Sequence, residues 1–93
     1  MYKLRKYHDD RVMSLTYDSE GKAFSVGIIA EGEFSFGAVV DEHYKITSGK
    51  ISFWEDGNDK WKECGVNDEF TTHAGKDFKF KASEVSSYIC FYK

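Results

Sequence analysis

A chain of 93 residues has room for one hydrophobic core, so a single domain over residues 1–93 is expected. Its composition, 41% hydrophobic and 17% aromatic, excludes a disordered chain, and its net charge of −3 offers no general attraction for a nucleic acid backbone. The first segment, residues 1–10, is charged and lacks the apolar run of a signal peptide, and no later stretch reaches bilayer length. We therefore expect a soluble, cytoplasmic protein that binds neither nucleic acid nor a membrane.

Short runs rich in β-branched and aromatic residues then follow one another, separated by turn-forming groups at regular intervals. Turns are expected at residues 19–22, 31–33, 48–50, 56–60 and 73–76, with positive φ angles at the glycines in positions 21, 32, 49, 57 and 75. No segment carries a sustained apolar stripe of helical period. This spacing predicts an all-β protein, a single-domain antiparallel jelly-roll barrel of eight or nine strands, with an SH3-like or lipocalin-like barrel as the lesser alternatives.

Alternation of apolar and polar residues indicates which side chains face inward. In DFKFKA, Phe78, Phe80 and Ala82 share one face, and the same period groups Phe34 with Phe36 and Tyr44 with Ile46. We interpret Phe78 and Phe80 first as packing residues.

The last run, SSYICFYK, is apolar on both faces. A strand of this kind is central in a sheet or lies at a subunit interface. Because so small a domain has little capacity to bury all of that surface, we expect a homodimer.

Two features bear on metals and redox chemistry. Cys64 and Cys90 are expected to remain reduced, because no secretory signal accompanies them. Glu42 stands seven residues before Gly49, as in metal-binding cupins, but the His-x-His that should precede it is absent from SFGAVVD. Neither a metal nor another cofactor is expected.

Several segments together carry a resemblance to a known family. SVGIIAEGEFSF, then DEHYKITSGKISF, then SSYICFYK recur in order, and the match spans essentially the whole chain without large gaps. The corresponding motifs lie at residues 25–29, 32–36, 42–49 and 88–92. In these segments the chain resembles the small cupins of the pyrimidine/purine nucleoside phosphorylase family. That resemblance implies a cupin-type jelly roll and phosphorolysis, in which inorganic phosphate attacks the anomeric carbon of a nucleoside and releases the base and a pentose 1-phosphate.

Phosphorolysis requires groups that hold the phosphate, fix the ribose and stabilise the departing base. Under the resemblance, the expected partners are a nucleoside or nucleotide and inorganic phosphate. The catalytic candidates are His43, His73 and Glu42. The substrate-binding candidates are Ser25, Glu31, Phe34, Phe36, Tyr44, Thr72 and Phe78. Lys22, Lys45 and Ser35 are additional candidates for anion contacts.

One segment departs from the family pattern. Where family members carry a Val-Pro-Gly-His-Ser or Val-x-Asn-Ser turn, this chain has Thr72, His73, Ala74, Gly75 and Lys76. The usual His or Asn falls on Gly75, so its chemistry is missing unless His73 replaces it. A second hypothesis follows: a catalytically degenerate cupin that binds and sequesters or senses a nucleotide or nucleotide-derived signal. His8, in the charged N-terminal segment, is interpreted as a solvated surface residue.

Overall fold

The chain folds into two antiparallel β-sheets in a computed structural model that describes residues 2–19 and 22–92. The larger sheet has six strands in the order β1-β2-β3-β10-β5-β8, and the smaller has four in the order β4-β9-β6-β7. Strands of the larger sheet are β1 (Tyr2–Tyr7), β2 (Val12–Ser19), β3 (Lys22–Ile29), β5 (Glu42–Ser48), β8 (Glu69–Thr72) and β10 (Ser86–Tyr92). Those of the smaller sheet are β4 (Gly32–Gly37), β6 (Ile51–Glu55), β7 (Lys62–Cys64) and β9 (Asp77–Ala82). The prediction of an all-β protein with antiparallel sheets is confirmed, but the described residues form ten strands where eight or nine were expected.

Strand alternation explains where the core lies. Along β9 the burial pattern alternates, so that Phe78, Phe80 and Ala82 are buried while the lysines between them face outward. β9 pairs with β4 on one side and β6 on the other, which places Phe80 between Phe34 and Phe53. Aromatic rings from both sheets meet there, and the ring centroids of Phe53 and Phe70 are 4.3 Å apart. The core is therefore largely aromatic.

The terminal run forms β10, which pairs with β3 and β5 and is central in the larger sheet. Tyr88 and Cys90 face the core, and Ile89 and Phe91 lie on the outer face of the sheet. Tyr88 also explains the glycine of the SVG motif, because a Cβ atom at Gly27 would overlap the Tyr88 ring. The sequence prediction of a central strand is thus confirmed.

Turn predictions are confirmed at four glycines, since Gly32, Gly49, Gly57 and Gly75 all have positive φ. The predicted glycine at position 21 lies outside the described residues. The turn between β1 and β2 was not predicted to be unusual. There His8, Asp9 and Asp10, none of them glycine, have φ angles of 52°, 57° and 67°. Within the described ranges there is no helix long and apolar enough to cross a membrane.

Candidate functional site

A cavity of about 420 Å³ opens between the two sheets, where β4 and the β1–β2 hairpin come together. Inward-facing residues of both sheets converge on it. Its lining comprises Tyr7, His8, Ser14, Ser25, Ser35, Phe36, Gly37, Glu42, Tyr44, Phe78, Phe80, Tyr88 and Tyr92. A wider groove, about 820 Å³, lies at the opposite ends of β4 and β9, but Glu33, Ser52 and Lys81 line it from the outer sheet face. Because binding sites are concave and built from converging side chains, we take the inter-sheet cavity as the candidate site.

Among the described residues, Glu42 is the one carboxylate that lines this cavity. It begins β5, is half-buried, and accepts a hydrogen bond from the Tyr44 hydroxyl. The Cys90 sulfur lies 3.9 Å from Glu42 Oε2. Burial, reinforced by the Glu42 charge, raises the pKa of the Cys90 thiol to about 12, and burial likewise raises the pKa of Tyr44. Both groups therefore stay protonated near neutral pH and surround the carboxylate with neutral donors.

The two walls of the cavity differ in chemistry. On the larger sheet, Ser25 Oγ lies 3.0 Å from the Tyr92 hydroxyl, and the hydroxyls of Ser14 and Tyr88 add to the same wall. On the smaller sheet the wall is phenyl, and the Phe36 and Phe78 rings stack with centroids 5.4 Å apart. This arrangement suits a ligand that has a hydroxylated part and a flat, weakly polar part.

The structure brings together some of the residues predicted from the sequence. Ser25, Phe36, Glu42, Tyr44 and Phe78 all line the cavity. Each occupies an inward-facing position of its strand, so the period-two pattern places them on the facing inner sides of the two sheets.

The other substrate-binding candidates lie elsewhere. Phe34 is buried in the core, 4% exposed, and does not line the cavity. Glu31 lines the groove at the opposite end of β4. Thr72 is fully buried, and its hydroxyl has no hydrogen-bond partner in the described part of the chain.

His43 and His73, the predicted catalytic histidines, lie outside the cavity lining. Since Glu42 and Tyr44 face inward, alternation turns His43 to the outer face, where its Nε2 lies 2.5 Å from Glu69 Oε1. His73 Nδ1 lies 2.9 Å from Oε1 of the buried Glu55, whose other oxygen accepts the His73 backbone N–H. That pairing anchors the turn before β9. A catalytic role for either histidine stays a prediction that the geometry does not support.

Sequence analysis missed His8, which lies at the cavity mouth. Its ring packs against Phe34 and Phe36 with centroids 5.3 and 5.2 Å away, and its Nε2 lies 3.0 Å from the Ser35 carbonyl oxygen. The interpretation of His8 as an exposed surface residue is confirmed, and the ring in addition contacts β4, for which the charged neighbours of His8 gave no signal. Pairing of His with two aromatic rings from another sheet has no signal in the local sequence.

No group of three or more His, Cys, Asp or Glu side chains in residues 2–19 and 22–92 is placed to hold a metal ion. The free thiols Cys64 and Cys90 are both buried, and they face different parts of the sandwich.

The fold and the inter-sheet cavity define a small cupin-type β-sandwich. The EutQ protein of Clostridium difficile shares this fold, with a TM-score of 0.75 at 13% identity over 87% of this chain and 61% of that one. The pyrimidine/purine nucleoside phosphorylase family matches residues 2–92, and the chain belongs to that family.

Two relatives show how completely the family covers the chain. A pyrimidine/purine nucleoside phosphorylase of Pseudomonas aeruginosa is 29% identical over 93 residues, which is all of both chains. A protein of unknown function from Vibrio parahaemolyticus has a TM-score of 0.95 and 24% identity, covering 100% of this chain and 99% of its own. The resemblance noted in the sequence is thereby confirmed.

Proposed function

We propose that the protein cleaves purine and pyrimidine nucleosides with inorganic phosphate and releases the free base and a pentose 1-phosphate. The observation that carries this proposal is the division of the cavity into a hydroxyl wall with one carboxylate and a phenyl wall. A nucleoside has the same two parts, a ribose and a flat base. Family membership supports the same chemistry.

The lining suggests a role for each wall. Glu42 accepts hydrogen bonds from ribose hydroxyls, in the way that carboxylates make strong charge-assisted bonds. Phe36 and Phe78 pack against the base, since aromatic rings prefer offset stacking over apolar faces. Hydroxyls such as that of Ser25 donate to oxygen atoms of the sugar or of phosphate.

In the reaction, a phosphate oxygen forms a bond to the anomeric carbon while the bond from that carbon to the base nitrogen breaks. The electron pair of the broken bond leaves with the base, which takes up the proton that hydrogen phosphate loses when it forms the ester to the sugar. Positive charge develops on the sugar ring in the transition state, and the Glu42 carboxylate stabilises it electrostatically.

A second function is favoured by one observation: neither histidine predicted to be catalytic lines the cavity. A cavity that has ribose and base contacts but neither of these two histidines binds a nucleoside or nucleotide without turnover. The protein then acts as a sequestering or sensing module.

One experiment separates these functions. The purified protein is incubated with single nucleosides and phosphate, and both the free base and pentose 1-phosphate are quantified by chromatography. Parallel samples are denatured, and any retained nucleotide is identified by mass spectrometry. Equimolar base and pentose 1-phosphate, absent when phosphate is omitted, support the phosphorylase. A retained nucleotide or saturable binding without turnover supports the binding module. If the protein shows neither turnover nor binding, both functions are contradicted.

We also propose that two copies associate through the outer face of the larger sheet. Exposed apolar residues of four adjacent strands lie side by side there, among them Leu4, Leu15, Val26, Ile28 and Phe91, which are 37–58% exposed. A second copy is the fitting occupant, because a flat apolar sheet face is complementary to itself across a two-fold axis. Contiguous apolar patches above a few hundred Å² are rare on monomers.

The assembly is tested by light scattering at micromolar concentration. We expect twice the mass of one chain for the wild type and a monomer for Ile28→Lys, which adds a charge at the centre of the face. The control Val39→Lys changes a residue that is 89% exposed and lies off this face. A monomeric wild type, or dimers that persist in Ile28→Lys, would contradict the proposed interface.

A further inference from the structure

The cavity presents an imbalance of charge. Its described lining contains the Glu42 carboxylate, several hydroxyls and aromatic rings, and the one side chain in it that can carry a positive charge is His8. Phosphate is a dianion or monoanion near neutral pH, and a cavity that admits it beside a carboxylate needs a compensating donor. His8 follows β1, the edge strand of the larger sheet, and Glu42 begins β5. Three strands, β2, β3 and β10, lie between β1 and β5, so the two residues come from different parts of the sheet.

The hydrogen bond of His8 defines which ring nitrogen remains available. Nε2 lies 3.0 Å from the Ser35 carbonyl oxygen, and a carbonyl oxygen only accepts, so Nε2 carries a hydrogen. No described protein group hydrogen-bonds to Nδ1. In the neutral ring Nδ1 is an acceptor, and in the protonated ring it becomes a second donor. Nδ1 is thus the ring nitrogen that has no hydrogen-bond partner among the described residues.

The backbone holds this ring in place at some energetic cost. His8, Asp9 and Asp10 adopt successive positive φ angles, a conformation that His and Asp tolerate better than most residues. Such strain persists where surrounding contacts impose it, and it concentrates at functional sites. The His8 ring in this turn contacts the Phe34 and Phe36 rings and the Ser35 carbonyl, all on β4 of the opposite sheet.

We propose that His8 is the anion-binding residue of the cavity, donating through Nδ1–H to an oxygen atom of phosphate while Nε2–H stays bonded to Ser35. The inference rests on the proposed function for the identity of the anion and deepens it by locating the phosphate at the β1–β2 turn. The other charged groups of that turn are Asp9, Asp10 and Arg11, which do not line the cavity.

The first test observes the ring directly and needs no turnover. Long-range proton–nitrogen spectra of ¹⁵N-labelled protein report which nitrogen of each histidine carries hydrogen. Inorganic phosphate is titrated at constant ionic strength, and the His8 signals are assigned from a His8→Asn sample. We expect an Nε2–H ring without phosphate and a protonated Nδ1 with it, while His43 and His73 stay unchanged. An Nδ1–H ring at the start, no response of His8, or an equal response of all three histidines would overturn the proposal.

The second test is kinetic. His8→Asn retains a residue that tolerates positive φ, so the turn is preserved while the imidazole is lost. We expect the KM for phosphate to rise about tenfold, as for one charge-assisted hydrogen bond, and the KM for nucleoside to change less than about twofold by the same reasoning. Asp9→Asn is the matched control, because it alters charge in the same turn without touching the cavity lining.

The two tests separate failure of the inference from failure of the proposed function. A phosphate KM that His8→Asn leaves within twofold of wild type, or that Asp9→Asn raises equally, refutes a specific role for His8. A wild type without turnover refutes the phosphorylase, and the phosphate titration then still decides whether His8 binds an anion.

Discussion

Substitution of Glu42 by Gln tests the cavity with the smallest change in shape. The amide keeps a carbonyl oxygen that accepts the Tyr44 hydroxyl, and it removes the charge that a ribose hydroxyl would meet. Loss of a charge-assisted acceptor weakens binding by about 1–3 kcal/mol, which corresponds to about a 5- to 150-fold rise in the dissociation constant. Folding should change by less than about 1 kcal/mol, because one hydrogen bond is retained.

The assay combines nucleoside affinity, by calorimetry or KM at saturating phosphate, with thermal unfolding of the same samples. Glu69→Gln is the matched control: it removes a carboxylate from the outer face of the same sheet, where His43 lowers the pKa of Glu69. We expect no change in affinity for that variant. If Glu42→Gln binds within twofold of wild type, or mainly loses stability, Glu42 is structural and the nucleoside site lies elsewhere.

Three further substitutions or modifications test the packing that forms the cavity. Phe80→Ala, at a side chain 1% exposed among aromatic rings, should lower the free energy of unfolding by about 3–5 kcal/mol. Gly27→Ala should lower it by about 1–3 kcal/mol, since the added methyl overlaps the Tyr88 ring. Because its pKa is raised to about 12, the Cys90 thiol stays protonated and should resist alkylation at pH 8 until the protein is unfolded.

The two substitutions each have a control within the chain. Val39→Ala, at a residue 89% exposed, should change stability by less than about 0.5 kcal/mol. An alanine at Gly37 meets only an ordinary contact with Asp77 and should be tolerated. Chemical denaturation measures both pairs. Equal losses for Gly27→Ala and Gly37→Ala, or alkylation of Cys90 in the native protein, would show that the inner wall is looser than described.

The fold could be predicted because its information is local. Turn residues at regular spacing and alternation in DFKFKA specify strands and their inner faces, and the structure has both. The segment 2–7, where Lys and Arg side chains alternate with apolar and aromatic ones, is typical of an edge strand, and it forms β1 at the edge of the larger sheet. Pairing between strands distant in sequence, such as β10 with β3 and β5, has no such local signal.

The site could be predicted only where alternation applies. Glu42 and Tyr44 share a face with Ile46, so the sequence placed them correctly, and the same rule turns His43 outward. The catalytic role predicted for His43 came from its residue type, and its position in the strand places it outside the cavity lining. His8 could not be found in this way, because its place at the mouth depends on the β1–β2 hairpin contacting β4 across the sandwich.

The two sides of the larger sheet differ in polarity: its inner side lines the cavity with hydroxyl groups, and its outer side is apolar. The inner side of β3 and β10 supplies Ser25, Tyr88 and Tyr92 to the cavity, and the outer side supplies Val26 and Phe91 to the apolar face. A domain of this size buries only about 60% of its unfolded surface, which leaves little surplus stability for a hydrated, polar cavity. Association through the outer face would add apolar burial directly behind the hydroxyl wall. In the proposed dimer the apolar face would therefore support the cavity wall, because both surfaces belong to the same strands.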